Sequence, residues 1–180
     1  MRAGLRNLAN AAGFQIVWLA AVAGAANGLP WAGPLAALLF AAAVLAWGGQ
    51  RTRDLRLLAV ALPLGIAIDS AFAASGWLRY VEPGPLPWLA PAWIAALWLG
   101  FTLTLNHSLA MLRQHAWLAA LFGLIGAPVA YWAAAAAFAA VSFGAPDLLV
   151  LSAVGMAWAL LLPALYRIDR RVPNPRVATT

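Results

Sequence analysis

The stretch LLAVALPLGIAIDSAFAAS, residues 57–75, decides the fold class. A helix needs about 20 mainly apolar residues to cross a bilayer, and this stretch supplies them. One ionisable group, Asp69, stands well inside it, in Gly65-Ile-Ala-Ile-Asp69-Ser70. Five further apolar stretches flank it, at about 8–26, 31–49, 88–111, 116–141 and 147–166. Their separators are polar or helix-breaking: Asn27-Gly28-Leu29-Pro30, the charged 50–56, the proline-rich 76–87, Arg113-Gln114-His115 and 142–146. The reading is an all-α, polytopic membrane bundle of about six transmembrane helices. It forms a single domain over 1–180, with a polar tail at 167–180.

Composition agrees. The chain is 65% hydrophobic and 9% charged, against roughly 25% charged in soluble domains. A soluble fold of this size has too much exterior to hide that apolar surface. There are no cysteines, which excludes disulfides, thiolate metal sites and a cysteine nucleophile.

The net charge is +6, and every basic residue is arginine. The arginines sit in short clusters between apolar spans, a pattern of membrane topology and not of a nucleic-acid surface. With the N-terminus inside, the cytoplasmic segments hold Arg2, Arg6, Arg51, Arg53, Arg56, Arg113, Arg167, Arg170, Arg171 and Arg176, and the outer side only Arg79. That asymmetry places both termini in the cytoplasm. Trp31, Trp77 and Trp88 near outer ends, and Trp47 and Trp117 near inner ends, form an interfacial belt. Trp18, Trp93, Trp98, Trp132 and Trp158 lie deeper, where an indole N–H needs a partner. Arg2, Arg6 and the small residues at 23–26 also resemble a secretory signal. Asn10 and Gln15 interrupt that apolar run, so it is read as a retained first helix.

Asp69 is the most informative residue. An ionised carboxylate near the bilayer centre costs roughly 2.5–3.5 kcal/mol. Gly65, Asp69 and Ala73 share a helix face whose small residues suit a helix contact, so Asp69 is expected to point inward. Two readings stay open: a proton-carrying, cation-binding or ligand-anchoring carboxylate, or a hydrogen-bonded packing residue. By the helical rise, Asp69, Trp98 and Tyr131 lie about 18, 20 and 22 Å from the inner ends of their helices. They are candidates for one polar pocket.

A second polar spot is Thr102-Leu-Thr104-Leu-Asn106-His107-Ser108. Asn106 and His107, with Gln15 and Asn10 at similar depth, are candidates for a contact facing the cytoplasmic leaflet; the alternative is a polar helix end that bridges helices. His107 lies roughly 12 Å from Asp69 in depth, too far for a dyad. Gly123, Gly126 and Pro128 mark a hinge or a static kink in the fifth span. The arginines flanking the inner ends suit anionic headgroups. No phosphate loop, metal-spaced histidine pair or hydrolase motif occurs, so no cofactor or metal is expected and no catalytic residue is assigned.

The chain resembles a bacterial integral membrane family catalogued only as a domain of unknown function. The resembling stretches are Gly13-Phe-Gln15-Ile-Val-Trp18, Trp31-Ala-Gly33-Pro34, Arg53-Asp54-Leu55, Gly65 through Asp69-Ser70, Pro91-Ala-Trp93 through Trp98, Leu105-Asn106-His107-Ser108-Leu109 and Gly126-Ala-Pro128. The combination of Asp69-Ser70 with Asn106-His107-Ser108 is the most specific part. The resemblance implies a small inner-membrane protein of proteobacterial type, often encoded near enzymes that modify membrane fatty acids, and carries over no catalytic residue.

Three functions follow. The first is lipid or lipophile handling, transporter-like or accessory to lipid modification, with Asp69, Trp98 and Tyr131 as the pocket. The second is an intramembrane enzyme using Asp69 or His107 as acid or base. The third is a non-catalytic assembly subunit. Membrane lipids are the expected partners, with a second copy or another membrane protein as further neighbours and no nucleic acid.

Overall fold

The structure, a computed structural model, describes residues 2–171, with side chains described for 4–169. Six helices follow the apolar stretches: α1 (Arg2–Ala26), α2 (Ala32–Trp47), α3 (Arg51–Ala74), α4 (Ala92–Thr102), α5 (Ala116–Phe138) and α6 (Asp147–Arg171). The architecture is an all-α bundle. Four of the helices, α1, α3, α5 and α6, are long and apolar enough to cross a membrane. Large apolar side chains face outward on them and on α2, Leu39 at 65% and Leu160 at 72% exposure among them. Lipid is the solvent that suits such a surface, and the chain is a membrane protein.

Small residues set the helix spacing. A Cβ on Gly33 would lie 2.7 Å from the Ala21 backbone, so α1 and α2 touch backbone to backbone. A Cβ on Gly123 would lie 2.5 Å from the Trp158 carbonyl oxygen, and one on Gly155 2.7 Å from that of Leu124. Those two glycines draw α5 and α6 together, the most extensive helix pairing in the bundle. The helical path of α5 is unbroken through Pro128, so this proline marks no unwound segment.

The fourth span departs from the sequence reading of 88–111. Helix α4 stops at Thr102, and 103–109 is a chain of turns leading into a 3₁₀ segment, Ala110–Gln114. At about 1.5 Å per residue α4 covers little more than half of a bilayer core. Non-helical backbone at membrane depth is stable only when its polar groups are satisfied inside the protein. Here side chains supply the donors. Thr102 Oγ1 donates to the Trp98 carbonyl at 2.7 Å and Thr104 Oγ1 to that of Phe101 at 2.6 Å. Asn10 Nδ2 donates to the Leu103 carbonyl at 3.2 Å, Gln50 Nε2 to that of Asn106 at 2.9 Å and the Tyr166 hydroxyl to that of Leu109 at 2.8 Å. Threonine hydroxyls that bond back to the preceding turn compete with helix continuation. That row of polar residues is the cause of the break.

At the opposite end lies a feature absent from the sequence reading, a two-stranded antiparallel ribbon of β1 (Leu78–Tyr80) and β2 (Val141–Phe143). Leu78 and Tyr80 are buried while Arg79 is exposed, the alternation of a strand lying on a core. Gly144 permits the closure, since a Cβ there would fall 1.9 Å from the Gly76 carbonyl oxygen. The proline-rich segment after β1 is fastened down by Ser70 Oγ, which accepts from the Ala90 N–H at 3.0 Å, and by Trp93 Nε1, which donates to the Val81 carbonyl at 3.0 Å. Helix α6 continues through Arg167 to Arg171, beyond the expected start of the polar tail. The remainder of that tail, Arg176 included, lies outside the described residues, as do the side chains of Arg2, Arg170 and Arg171.

Candidate functional site

One face of α3 organises the chemistry. Asp54, Leu57, Ala61, Gly65 and Asp69 recur every three or four residues and are all buried. The stripe has a carboxylate at each end and small or apolar residues between. Each carboxylate gathers its own cluster.

Asp69 is 1% exposed. The Tyr80 hydroxyl donates to Asp69 Oδ1 at 2.6 Å, and Trp98 Nε1 donates to Oδ2 at 2.5 Å. The Tyr131 hydroxyl also donates to Oδ1. Burial, with Tyr131 and Asp69 close by, pushes the Tyr80 phenol well above its usual range, so Tyr80 on the ribbon remains a proton donor. Gly65 makes the Trp98 contact possible. A Cβ there would sit 2.0 Å from indole Cδ2, so the ring lies flat over α3 one turn below Asp69. The structure thus unites Asp69, Trp98 and Tyr131, as their common depth suggests, and adds Tyr80.

Beside this cluster is a cavity of about 380 Å³. That volume falls within the range of small-molecule sites. Asp69, Trp98 and Tyr131 contribute to its wall, together with Phe14, Trp18 and Trp158. Trp98 stacks on Trp158 with ring centres 4.6 Å apart, and Phe101 meets Trp158 edge-on at 4.9 Å. Gln15 belongs here too, at the rim; it is exposed, and its amide makes no hydrogen bond within the described residues. The exposed wall residues are Gln15 on α1 and Phe122 and Val129 on α5, so the mouth opens sideways between those helices. Of the other deep tryptophans, Trp93 lines the cavity, whereas Trp132 faces outward at 56% exposure.

Asn106 and His107 lie elsewhere, at the arginine-rich end around Asp54. Asp54 Oδ1 accepts from Asn106 Nδ2 at 2.9 Å, and Oδ2 meets His107 Nε2 at 3.0 Å. Arg113 donates to Asn106 Oδ1. The Arg113 Nε also lies 3.2 Å from Asp169 Oδ2, and Arg53 Nε donates to both Asp169 oxygens at 2.8 and 3.0 Å. Asn10 Oδ1 accepts from the Ser108 hydroxyl at 2.7 Å. This network ties α1, α3, α6 and the turns after α4 together. Asn106 is 2% exposed and held on both sides of its amide, and neither it nor His107 borders the cavity. Their geometry is that of a brace between helices.

Asp54, Asp169 and Tyr80 were not among the residues that sequence reasoning selected. Asp54 and Asp169 stand in charged segments read as topology signals, and Tyr80 in a loop read as irregular. A signal existed for two of them. Asp54 continues the Leu57–Ala61–Gly65 spacing, and Asp169 continues that of Leu162, Leu165 and Tyr166, all buried.

No curated protein and no solved structure matches the chain. A family model does, over residues 7–164, a range that includes Asp54, Asp69 and the whole cavity but ends before Asp169. The chain belongs to that family, described as "Protein of unknown function (DUF2878)".

Proposed function

We propose that the protein binds a lipophilic molecule inside the membrane, in the cavity between α1, α4 and α5, as a lipid- or lipophile-handling protein of an inner membrane. The observation that carries this reading is the cavity itself: a chamber of aromatic and aliphatic side chains beside a buried carboxylate cluster, open to the side. A sideways mouth admits molecules already dissolved in lipid. Gln15 supports the reading, because an amide without a partner among the described residues is costly at a lipid-facing surface unless something else bonds to it. The arginine distribution supports an orientation with both termini cytoplasmic.

The test is native mass spectrometry of gently solubilised protein, wild type beside Gly126→Leu. Gly126 lines the cavity, and a Cβ there meets nothing closer than the Phe122 ring at 3.8 Å, so leucine fills the chamber without displacing backbone. Wild type should carry a discrete lipophile that the variant has lost. Identical bound species in both would refute the proposal.

One observation favours a second reading. Asp69 already accepts from three donors, an arrangement sufficient for a packing role in an assembly subunit. Under that reading Gly126→Leu leaves the bound species unchanged and a partner protein co-purifies.

A further inference from the structure

We infer that the occupant of the cavity is a lipophilic organic cation, held between the aromatic wall and the Asp69 carboxylate. This rests on the binding reading above and adds the charge of the ligand. Three observations carry it. First, Asp69 has neutral partners only: two phenols and an indole. Among the described residues no cation pairs with it, although Asp169 at the other end draws two arginines. All three partners can donate, which suits a carboxylate, because its ionised form has acceptors only. A carboxylate offers about four acceptor sites, so three donors leave room for one more contact.

Second, aromatic side chains make up much of the wall, although the faces of Trp98 are themselves covered by α3 at Gly65 and by Trp158. Trp98, Trp158, Phe101, Phe14, Trp18 and Tyr131 surround the space. Aromatic faces attract cations, tryptophan most strongly, and the attraction grows when water is excluded. An uncharged alkyl chain needs no carboxylate, and an anion would be repelled by one. Third, the rim amide of Gln15 offers a polar contact at the mouth without a charge that would compete with Asp69. A buried carboxylate with no cationic partner among the described residues, beside a chamber lined in part by aromatic rings, is the complement of an alkylammonium amphiphile.

The experiment is displacement of radiolabelled dodecyltrimethylammonium from full-length protein in a non-ionic detergent. The competitors are unlabelled dodecyltrimethylammonium and dodecanol, its uncharged counterpart. Wild type should show saturable binding, with the ammonium displacing at a concentration lower by about tenfold or more. Asp69→Asn should shrink that ratio to about threefold or less. Should Asp69→Asn fail to fold, Trp158→Leu keeps the carboxylate, removes half of the stacked pair and should reduce the ratio in the same direction. Gly126→Leu should abolish saturable binding. Equal displacement by ammonium and alcohol overturns the charge inference and leaves lipophile binding standing. So does absence of ammonium binding in a protein that retains a neutral lipophile in the mass spectrum. Absence of both overturns the two together.

Discussion

Gly65→Ala tests how the Asp69 cluster is held. The added Cβ would stand 2.0, 2.3 and 2.4 Å from three atoms of the Trp98 indole, where ordinary contact begins near 3.4 Å. The ring must therefore shift by more than an ångström. It cannot do so and still donate to Asp69 Oδ2 at 2.5 Å and stack on Trp158 at 4.6 Å. Overpacking a tight contact costs about 1–3 kcal/mol. A hydrogen bond between membrane helices averages only about 0.6 kcal/mol, so the packing term dominates. The sum is about 2–3 kcal/mol of lost stability, to be read by thermal unfolding in detergent with Gly126→Ala as the reference. Gly126→Ala adds the same methyl group in ordinary contact with the Phe122 ring, at 3.8 Å, and should stay within about 0.5 kcal/mol of wild type. If the two alanine variants unfold alike, Trp98 is not clamped over α3, and the derivation of the cluster from Gly65 fails.

Three further outcomes are expected. Asp54→Leu orphans Asn106 Nδ2 and a nitrogen of His107, and should cost about 1–3 kcal/mol in the same unfolding assay; Asp54→Asn, which keeps one acceptor oxygen and adds donors for His107, should cost less. Gln15→Leu should leave stability within about 0.5 kcal/mol, since its amide bonds to nothing among the described residues, while altering the amount of lipophile retained in native mass spectra. The chain has no cysteine, so single-cysteine variants report orientation cleanly; Arg79→Cys should react with an impermeant maleimide added outside intact cells, and Arg51→Cys only after permeabilisation.

Much of this was legible in the sequence because the bilayer imposes strong, simple constraints. Apolar runs marked the helices, and α2 and α5 begin within one residue of their expected starts. The helical rise grouped Asp69 with Tyr131, whose helices are continuous; for Trp98 the same count ran through 103–111, which is not α-helical, so its agreement does not follow from the rise. What remained hidden depends on other physics. The end of α4 at Thr102 is invisible to hydropathy, as Leu103 and Leu105 continue the apolar run; side-chain bonding to freed carbonyls ends the helix there. Tyr80 reaches Asp69 through a ribbon whose two strands are distant in sequence, and three-residue strands carry almost no periodic signal. Arginines near the inner interface satisfy the topology rule whether or not they pair. The pairing of Arg53 and Arg113 with Asp169 therefore needed coordinates to be seen.

The most direct test of lipophile binding is photo-crosslinking with a single-chain alkylammonium that carries a diazirine in its chain, in native membranes, followed by peptide mapping. The account predicts adducts concentrated on the cavity wall, at residues such as Phe14 and Trp18 on α1 and Phe122 and Ala130 on α5, and their loss in Gly126→Leu. Adducts spread evenly over outward-facing residues such as Leu8, Leu39 and Leu160, unchanged by Gly126→Leu, would contradict it.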